Sequence, residues 1–424
     1  MHSRYIAAVT LLFWLSVFPA ASQATTPAPA TQDDATRAEE PDKPTHTNID
    51  SDTSKRLTGA MKALGDGRYV EAREILSHIN PSRLNPFAAS RVEQLYASIE
   101  QADDKYAAAR QHLLAAVATG GLSADEASTA RFQIAQFSLA LQDWRQGIDD
   151  LKEWFATTEQ PTSVAYYLLG AAYYQVQDYN SALEPASKAI ELADAPQENW
   201  LQLLLALRVM REEYDQAVPI LKRLVATYPT KKTYWTQLSS VYAALGQYDD
   251  ATAAMQLAYD AGLLTEDQDI QRLAQLLVHS GIPRRAAEVL AGALDKQKRL
   301  QSDPKTYELI GNCWVAAREY EMAIEPLARA AELSDNGEAY VRLAEVHVQL
   351  EDWNKAAEAL RRGLEKGSLE SPGHAQLLLG IAFYNRKNTQ AARSWLEQAL
   401  ADETTRSQAE AWLKQLDVDA TSHS

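Results

Sequence analysis

The chain has 424 residues, with 41 Lys and Arg against 57 Asp and Glu, 17 Gly, 16 Pro and a single cysteine, Cys313. Such a length allows two or three ordinary domains or one long repeat array, and 46% apolar content excludes wholesale disorder. One cysteine excludes an intrachain disulfide framework and a multi-cysteine zinc site, and a formal charge of −16 disfavours nonspecific attraction to nucleic acid or anionic lipid.

The first feature along the chain is a signal-like segment. Arg4 and the amino terminus form a small positive region, Tyr5 to Phe18 are mostly apolar, and Pro19 stops a helix. Ser22-Gln23-Ala24 then offers small residues three and one before a cut. This order predicts a signal peptide over 1–24, cleaved after Ala24, and an exported chain without stable membrane insertion. The alternative is a retained anchor, but the fourteen residues from Tyr5 to Phe18 reach only about 21 Å as a helix, against a hydrocarbon core of about 30 Å. Residues 25–54 are rich in Thr, Ala, Pro and acid. With so few large apolar side chains they cannot offset the entropy of ordering, which predicts a disordered polar linker. Pro27, Pro29, Pro41 and Pro44 there read as spacer elements rather than as a recognition motif.

From Lys55 to Ala401 the chain repeats itself. An aromatic residue precedes a small one by three positions at Tyr69/Ala72, Tyr106/Ala109, Tyr179/Ala182, Tyr214/Ala217, Tyr248/Ala251, Tyr320/Ala323 and Trp353/Ala356. Degenerate copies at Trp144/Gly147, Pro283/Ala286 and Thr389/Ala392 complete ten marks, with steps of 33 to 38 residues. Apolar sets before and after each mark, such as Tyr166, Leu169, Tyr173 and then Ala217, Leu221, Leu224, have helical spacing, and no segment alternates as a strand would. Each copy is therefore a pair of amphipathic helices. Prolines such as Pro161, Pro196, Pro229, Pro304 and Pro372 fall between copies, where a helix must stop. Pro185, Pro219 and Pro326 fall early in second helices, where a proline is tolerated. Thr404 to Asp417, with Ala409, Trp412, Leu413 and Leu416 on one side, predicts a capping helix within residues 402–424.

The pattern resembles the tetratricopeptide repeat superfamily: Tyr166, Leu169-Gly170, Tyr173, Ala182 and Ala189 follow its motif, as do Tyr307, Ile310-Gly311, Ala323 and Ala330, and Leu379-Gly380, Ala392 and Ala399. The resemblance implies an all-α fold, a right-handed superhelix of about ten helical hairpins over residues 55–401.

Candidate catalytic chemistry is missing from the sequence. There is no phosphate-cradling glycine loop, HExxH or nucleophile elbow, and no histidine pair has the i, i+4 spacing of a helical metal site. His347 and Cys313 occupy apolar faces and are expected to pack, His347 with a hydrogen-bond partner. Gly65-Asp66-Gly67 reads as a turn, and Asp149-Asp150 and Asp249-Asp250 as solvated acids at helix edges. The chain is expected to be no enzyme and to need no cofactor.

The superfamily lines its concave wall with the second, fifth, ninth and twelfth positions of each first helix. Carried over, these positions run from Arg91, Gln94 and Ser98 to Glu308, Asn312, Glu338, Glu345, His374 and Tyr384. The groove residues predicted within that series are Phe132, Gln136, Tyr167, Tyr174, Asn199, Gln202, Thr236, Gln271, Gln275 and Asn312, with Phe132, Tyr167 and Tyr174 as aromatic anchors. Glu308 before Asn312 would repel a peptide carboxylate, which argues against capture of a C-terminus. The same polar residues on solvated helix faces are the competing reading. The overall layout is also similar to periplasmic repeat proteins that accompany TonB–ExbB–ExbD systems in gammaproteobacteria. That likeness implies a periplasmic scaffold whose partners are TonB or ExbB/ExbD-type components. Envelope assembly (polysaccharide export, pilus biogenesis or cytochrome maturation) is the alternative within the same class, and an enzyme or metallochaperone with a site formed only in three dimensions is the alternative outside it.

Overall fold

The structure is a computed structural model that describes residues 49–295 and 300–422. The predicted signal peptide and the linker up to residue 48 lie outside the described residues. Among the described residues there are twenty-one α-helices, one short 3₁₀ turn at Pro81–Arg83 and no strand. None of these helices is long and apolar enough to cross a membrane.

The chain divides into two compact units, Met1–Leu207 and Arg208–Ser424. The first contains the hairpins α1/α2 (Ser51–Gly65, Tyr69–Ser77), α3/α4 (Pro86–Ala102, Tyr106–Ala118), α5/α6 (Ala124–Ala140, Trp144–Thr157) and α7/α8 (Ser163–Gln175, Tyr179–Glu191), and most of α9 (Glu198–Met210). The second contains α10 (Tyr214–Thr227), α11/α12 (Lys232–Ala244, Tyr248–Asp260), α13/α14 (Asp267–His279, Pro283–Asp295), α15/α16 (Pro304–Ala316, Tyr320–Leu333), α17/α18 (Glu338–Gln349, Trp353–Lys366), α19/α20 (Pro372–Asn385, Thr389–Ala399) and the capping helix α21 (Arg406–Ser422). Within each unit every hairpin packs on the next, so apolar stripes that a lone pair could not cover are buried by neighbours.

All ten sequence marks, from Tyr69 to Thr389, are the first residues of second helices. The small residue three positions later is buried in every hairpin, and the large one seven positions on is fully buried at Leu76, Leu151, Leu221, Met255, Leu290 and Leu327. These two positions share one helix face, and that face meets the first helix. The conserved geometry begins one step earlier. Two residues before each mark the backbone turns left-handed, with φ between +57° and +74°. At Gly67, Gly246 and Gly281 a glycine takes that turn, whereas Asp104, Gln142, Gln177, Glu212, Arg318, Glu351 and Lys387 hold it with an L side chain. The turn closes the first helix by a pair of backbone bonds, as where Glu351 donates to Val348 (3.0 Å) and Asp352 to His347 (2.8 Å).

Three expectations need correction. The linker ends before residue 54: α1 starts at Ser51 because the Asp50 carboxylate accepts from the Asp52 and Thr53 amides (3.1 and 3.0 Å) and caps it. Pro185, Pro219 and Pro326 sit in the second turn of α8, α10 and α16, past the first turn whose N–H groups need no partner. Asp150 is no solvated acid. It is only 9% exposed and joins α4, α5 and α6, as its carboxylate accepts from Ser138 Oγ (2.5 Å), Gln146 Nε2 (2.9 Å) and Arg110 Nη2 (3.1 Å).

Candidate functional site

The first helices α3, α5, α7, α9, α11, α13, α15, α17 and α19 carry the predicted wall positions. Many of the polar side chains at these positions reach the neighbouring first helix. In the first unit Arg91 of α3 pairs with Glu126 of α5, and Asn199 of α9 donates from Nδ2 to the Tyr167 hydroxyl of α7 (3.0 Å). In the second unit Lys232 of α11 binds Asp269 of α13 (2.8 Å), and Arg272 of α13 donates to Ser240 of α11 (2.9 Å). Further along, Arg342 of α17 meets Glu308 of α15 (2.8 Å), and His374 of α19 meets Glu345 of α17 (3.0 Å). The sequence separations, 29 to 37 residues, are close to one repeat, so each bridge ties a helix to its counterpart in the next hairpin.

These ties settle where several predicted groove residues stand. Tyr167 is 6% exposed, its ring stacks on Trp200 at 5.1 Å, and burial pushes its phenol up to about 12. It holds α7 to α9 together with Asn199 and is no accessible anchor. Phe132 is half-buried against Trp154 of α6 (4.8 Å), whose indole N–H donates to Ser128 Oγ (3.0 Å). Tyr174 is half-buried beside Tyr179 (5.4 Å), and burial raises its phenol. The Thr236 hydroxyl donates to the Thr233 carbonyl of its own helix (3.0 Å), and Gln202 donates to Glu198 (3.4 Å). Gln136 and Gln271 are half-buried, and Gln275 is exposed.

Asn312 stands where several predicted wall residues gather round a concavity. A cavity of about 330 Å³ opens between α15, α17 and α19. Val315, Leu327, Val346 and Leu378 supply apolar lining, and Asn312, Arg342, Glu345, Gln349 and His374 supply polar groups. The hydrogen bond to Glu345 raises the His374 imidazole above its ordinary range. Arg342 and Gln349 were missed by the sequence reading. The available signal was a charge complement one period on: Arg342 follows Glu308 by 34 positions.

Among the described residues no three His, Cys, Asp or Glu side chains gather as metal ligands. Cys313 is buried, and burial pushes its thiol up to about 11, away from the thiolate a nucleophile needs. His347 is buried too, but its Nδ1 has no hydrogen-bond partner, contrary to expectation. Burial lowers its pKa and Lys355 lowers it further, outweighing the charges of Asp352 and Glu358, which raise it.

Residues 203–262 and 341–411 match the tetratricopeptide repeat family model. No curated protein matches the chain. Among solved structures it is similar to a tetratricopeptide repeat protein from Parabacteroides merdae (16% identity over 70% of this chain and 100% of that one, TM-score 0.37). It is also similar to YrrB, described as having an unusual peptide-binding site (16% identity, 46% and 97% covered, TM-score 0.36). A third likeness is to MamA from Desulfovibrio magneticus (24% identity, 41% and 97% covered, TM-score 0.31).

Proposed function

We propose that the chain is an exported, non-catalytic scaffold that holds a polypeptide partner on the polar faces of its first helices. The observation that carries this reading is the cavity between α15, α17 and α19, where apolar lining lies under amide and charged groups from three successive hairpins. Such a concave, mixed surface suits an extended segment that seats a side chain and hydrogen-bonds along its backbone. Export rests on the signal-like order of residues 1–24.

The test places a photo-crosslinking residue at exposed Gln275 on first helix α13, and separately at Leu257 on second helix α12, which is 55% exposed. Cross-links to a discrete polypeptide from position 275 but not 257 support partner binding on the first-helix side. Equal or absent labelling at both refutes it. Fractionation checks the address: a periplasmic chain beginning at Thr25 is expected, and a cytosolic chain retaining residues 1–24 would overturn export. The likeness in layout to repeat proteins of TonB–ExbB–ExbD systems makes those components the partners to look for first. Recovery of TonB, ExbB or ExbD in the cross-linked product bears out that assignment, and recovery of a polysaccharide-export or pilus component replaces it with envelope assembly.

A further inference from the structure

The cavity between α15, α17 and α19 has a chemistry that narrows what it takes, and this step rests on the partner-binding reading above. Its aliphatic lining comes from the half-buried Val315 and Leu378, with Leu327 and Val346 buried behind. Its polar groups are oxygen-rich: the Asn312 and Gln349 amides and the Glu345 carboxylate. Arg342, which also lines it, is already bound to Glu308 through Nε at 2.8 Å. Glu345 meets an imidazole, that of His374, at 3.0 Å. Outside the lining, Glu338 and Asp402 lie near enough to act on His374.

We propose that the cavity accepts an arginine side chain of the partner polypeptide. Its aliphatic stem would lie along the half-buried Val315 and Leu378, as long cationic side chains do on apolar surface. Its guanidinium has five donors fixed in one plane, which can serve the Glu345 carboxylate and an amide oxygen together. A lysine ammonium lacks that planar fork, and an acidic side chain would meet the Glu345 carboxylate. A volume of about 330 Å³ holds one such side chain and leaves the rest of the segment outside.

The experiment titrates the whole protein with the pentapeptide acetyl-Ala-Ala-Arg-Ala-Ala-amide and its citrulline, lysine and glutamate counterparts. The readout is the His374 imidazole signal in NMR, assigned by its loss in His374→Gln. The titration is run at about pH 8.5, above the imidazole range. Saturable shifts with the arginine peptide are expected, at least about tenfold tighter than with citrulline, since a charge-assisted bond is at stake. Glu345→Gln should weaken that binding by about tenfold or more, and Asn312→Ala by less. Glu358→Gln on exposed α18 should leave it unchanged. Equal binding of arginine and citrulline, or no shift at millimolar peptide, overturns the proposal. So does a lysine peptide that binds as tightly, because it removes the need for a planar fork. Cross-linking from position 275 together with a silent arginine titration would sink this inference alone and leave the scaffold reading standing.

Discussion

Replacing Asp150 by alanine is the sharpest test of how the first unit is held. The carboxylate is 9% exposed and accepts from Ser138 Oγ (2.5 Å), Gln146 Nε2 (2.9 Å) and Arg110 Nη2 (3.1 Å). Arg110 is itself only 16% exposed and also donates from Nε to Ser138 Oγ (2.7 Å). Removing one member of a buried ion pair costs about 3–5 kcal/mol, because the other charge is left without a partner. The residual exposure of Arg110 and its bond to Ser138 put the expected loss near the lower end, about 3 kcal/mol. Asp150→Asn keeps hydrogen-bonding capacity and should lose about half as much. The double change Arg110→Met with Asp150→Leu removes the charge problem along with the pair. It should be less damaging than Asp150→Ala alone. Repeat arrays unfold in parts, so the assay is hydrogen exchange of α4, α5 and α6 alongside the urea midpoint. A loss under about 1 kcal/mol for Asp150→Ala, or a double variant no better than the single one, would refute the account of Asp150 as the tie between three helices.

Other expectations follow from the same structure. Tyr167→Phe should cost about 1 kcal/mol by depriving Asn199 of its acceptor, and Tyr167→Ala about 3–5 kcal/mol through loss of the stack on Trp200, both read from thermal unfolding. Glu351→Gly should stabilise by about 0.5–1 kcal/mol, since glycine relieves a left-handed backbone at φ +57° but adds unfolded-state freedom. Gly246→Ala, at φ +73° with open space around it, should do the reverse, and urea titration of both variants compares them. The two histidines of α17 and α19 should give pH effects of opposite sign. Burial lowers the pKa of His347, so the unfolded chain binds the extra proton and stability is full above pH 6.5 and falls as pH drops below it. Glu345 raises the pKa of His374, so its contribution is present below pH 6.5 and fades as pH rises through the folded value. Melting curves across that range should lose the first dependence in His347→Tyr and the second in His374→Gln.

The candidate site was legible only in part. The period placed Asn312, Glu308, Glu345 and His374 on first helices, and Asn312, Glu345 and His374 line the cavity because every hairpin repeats the same helix face. Tyr167 shows the limit of that reasoning. The period places it on α7, but whether that position faces solvent depends on the residue opposite, here Trp200, which arrives from the next hairpin.

The amino-acid order by itself determined the helical hairpins and the ten positions where second helices begin, because each follows from spacing within a few turns of one helix. The tertiary structure alone decided that Asp150 is buried, that the Tyr167 hydroxyl is spent on Asn199, and that Arg342 neutralises Glu308 beside a cavity. Those outcomes depend on which side chains meet across a repeat boundary some thirty residues apart, and periodicity within a single helix carries no information about that partner.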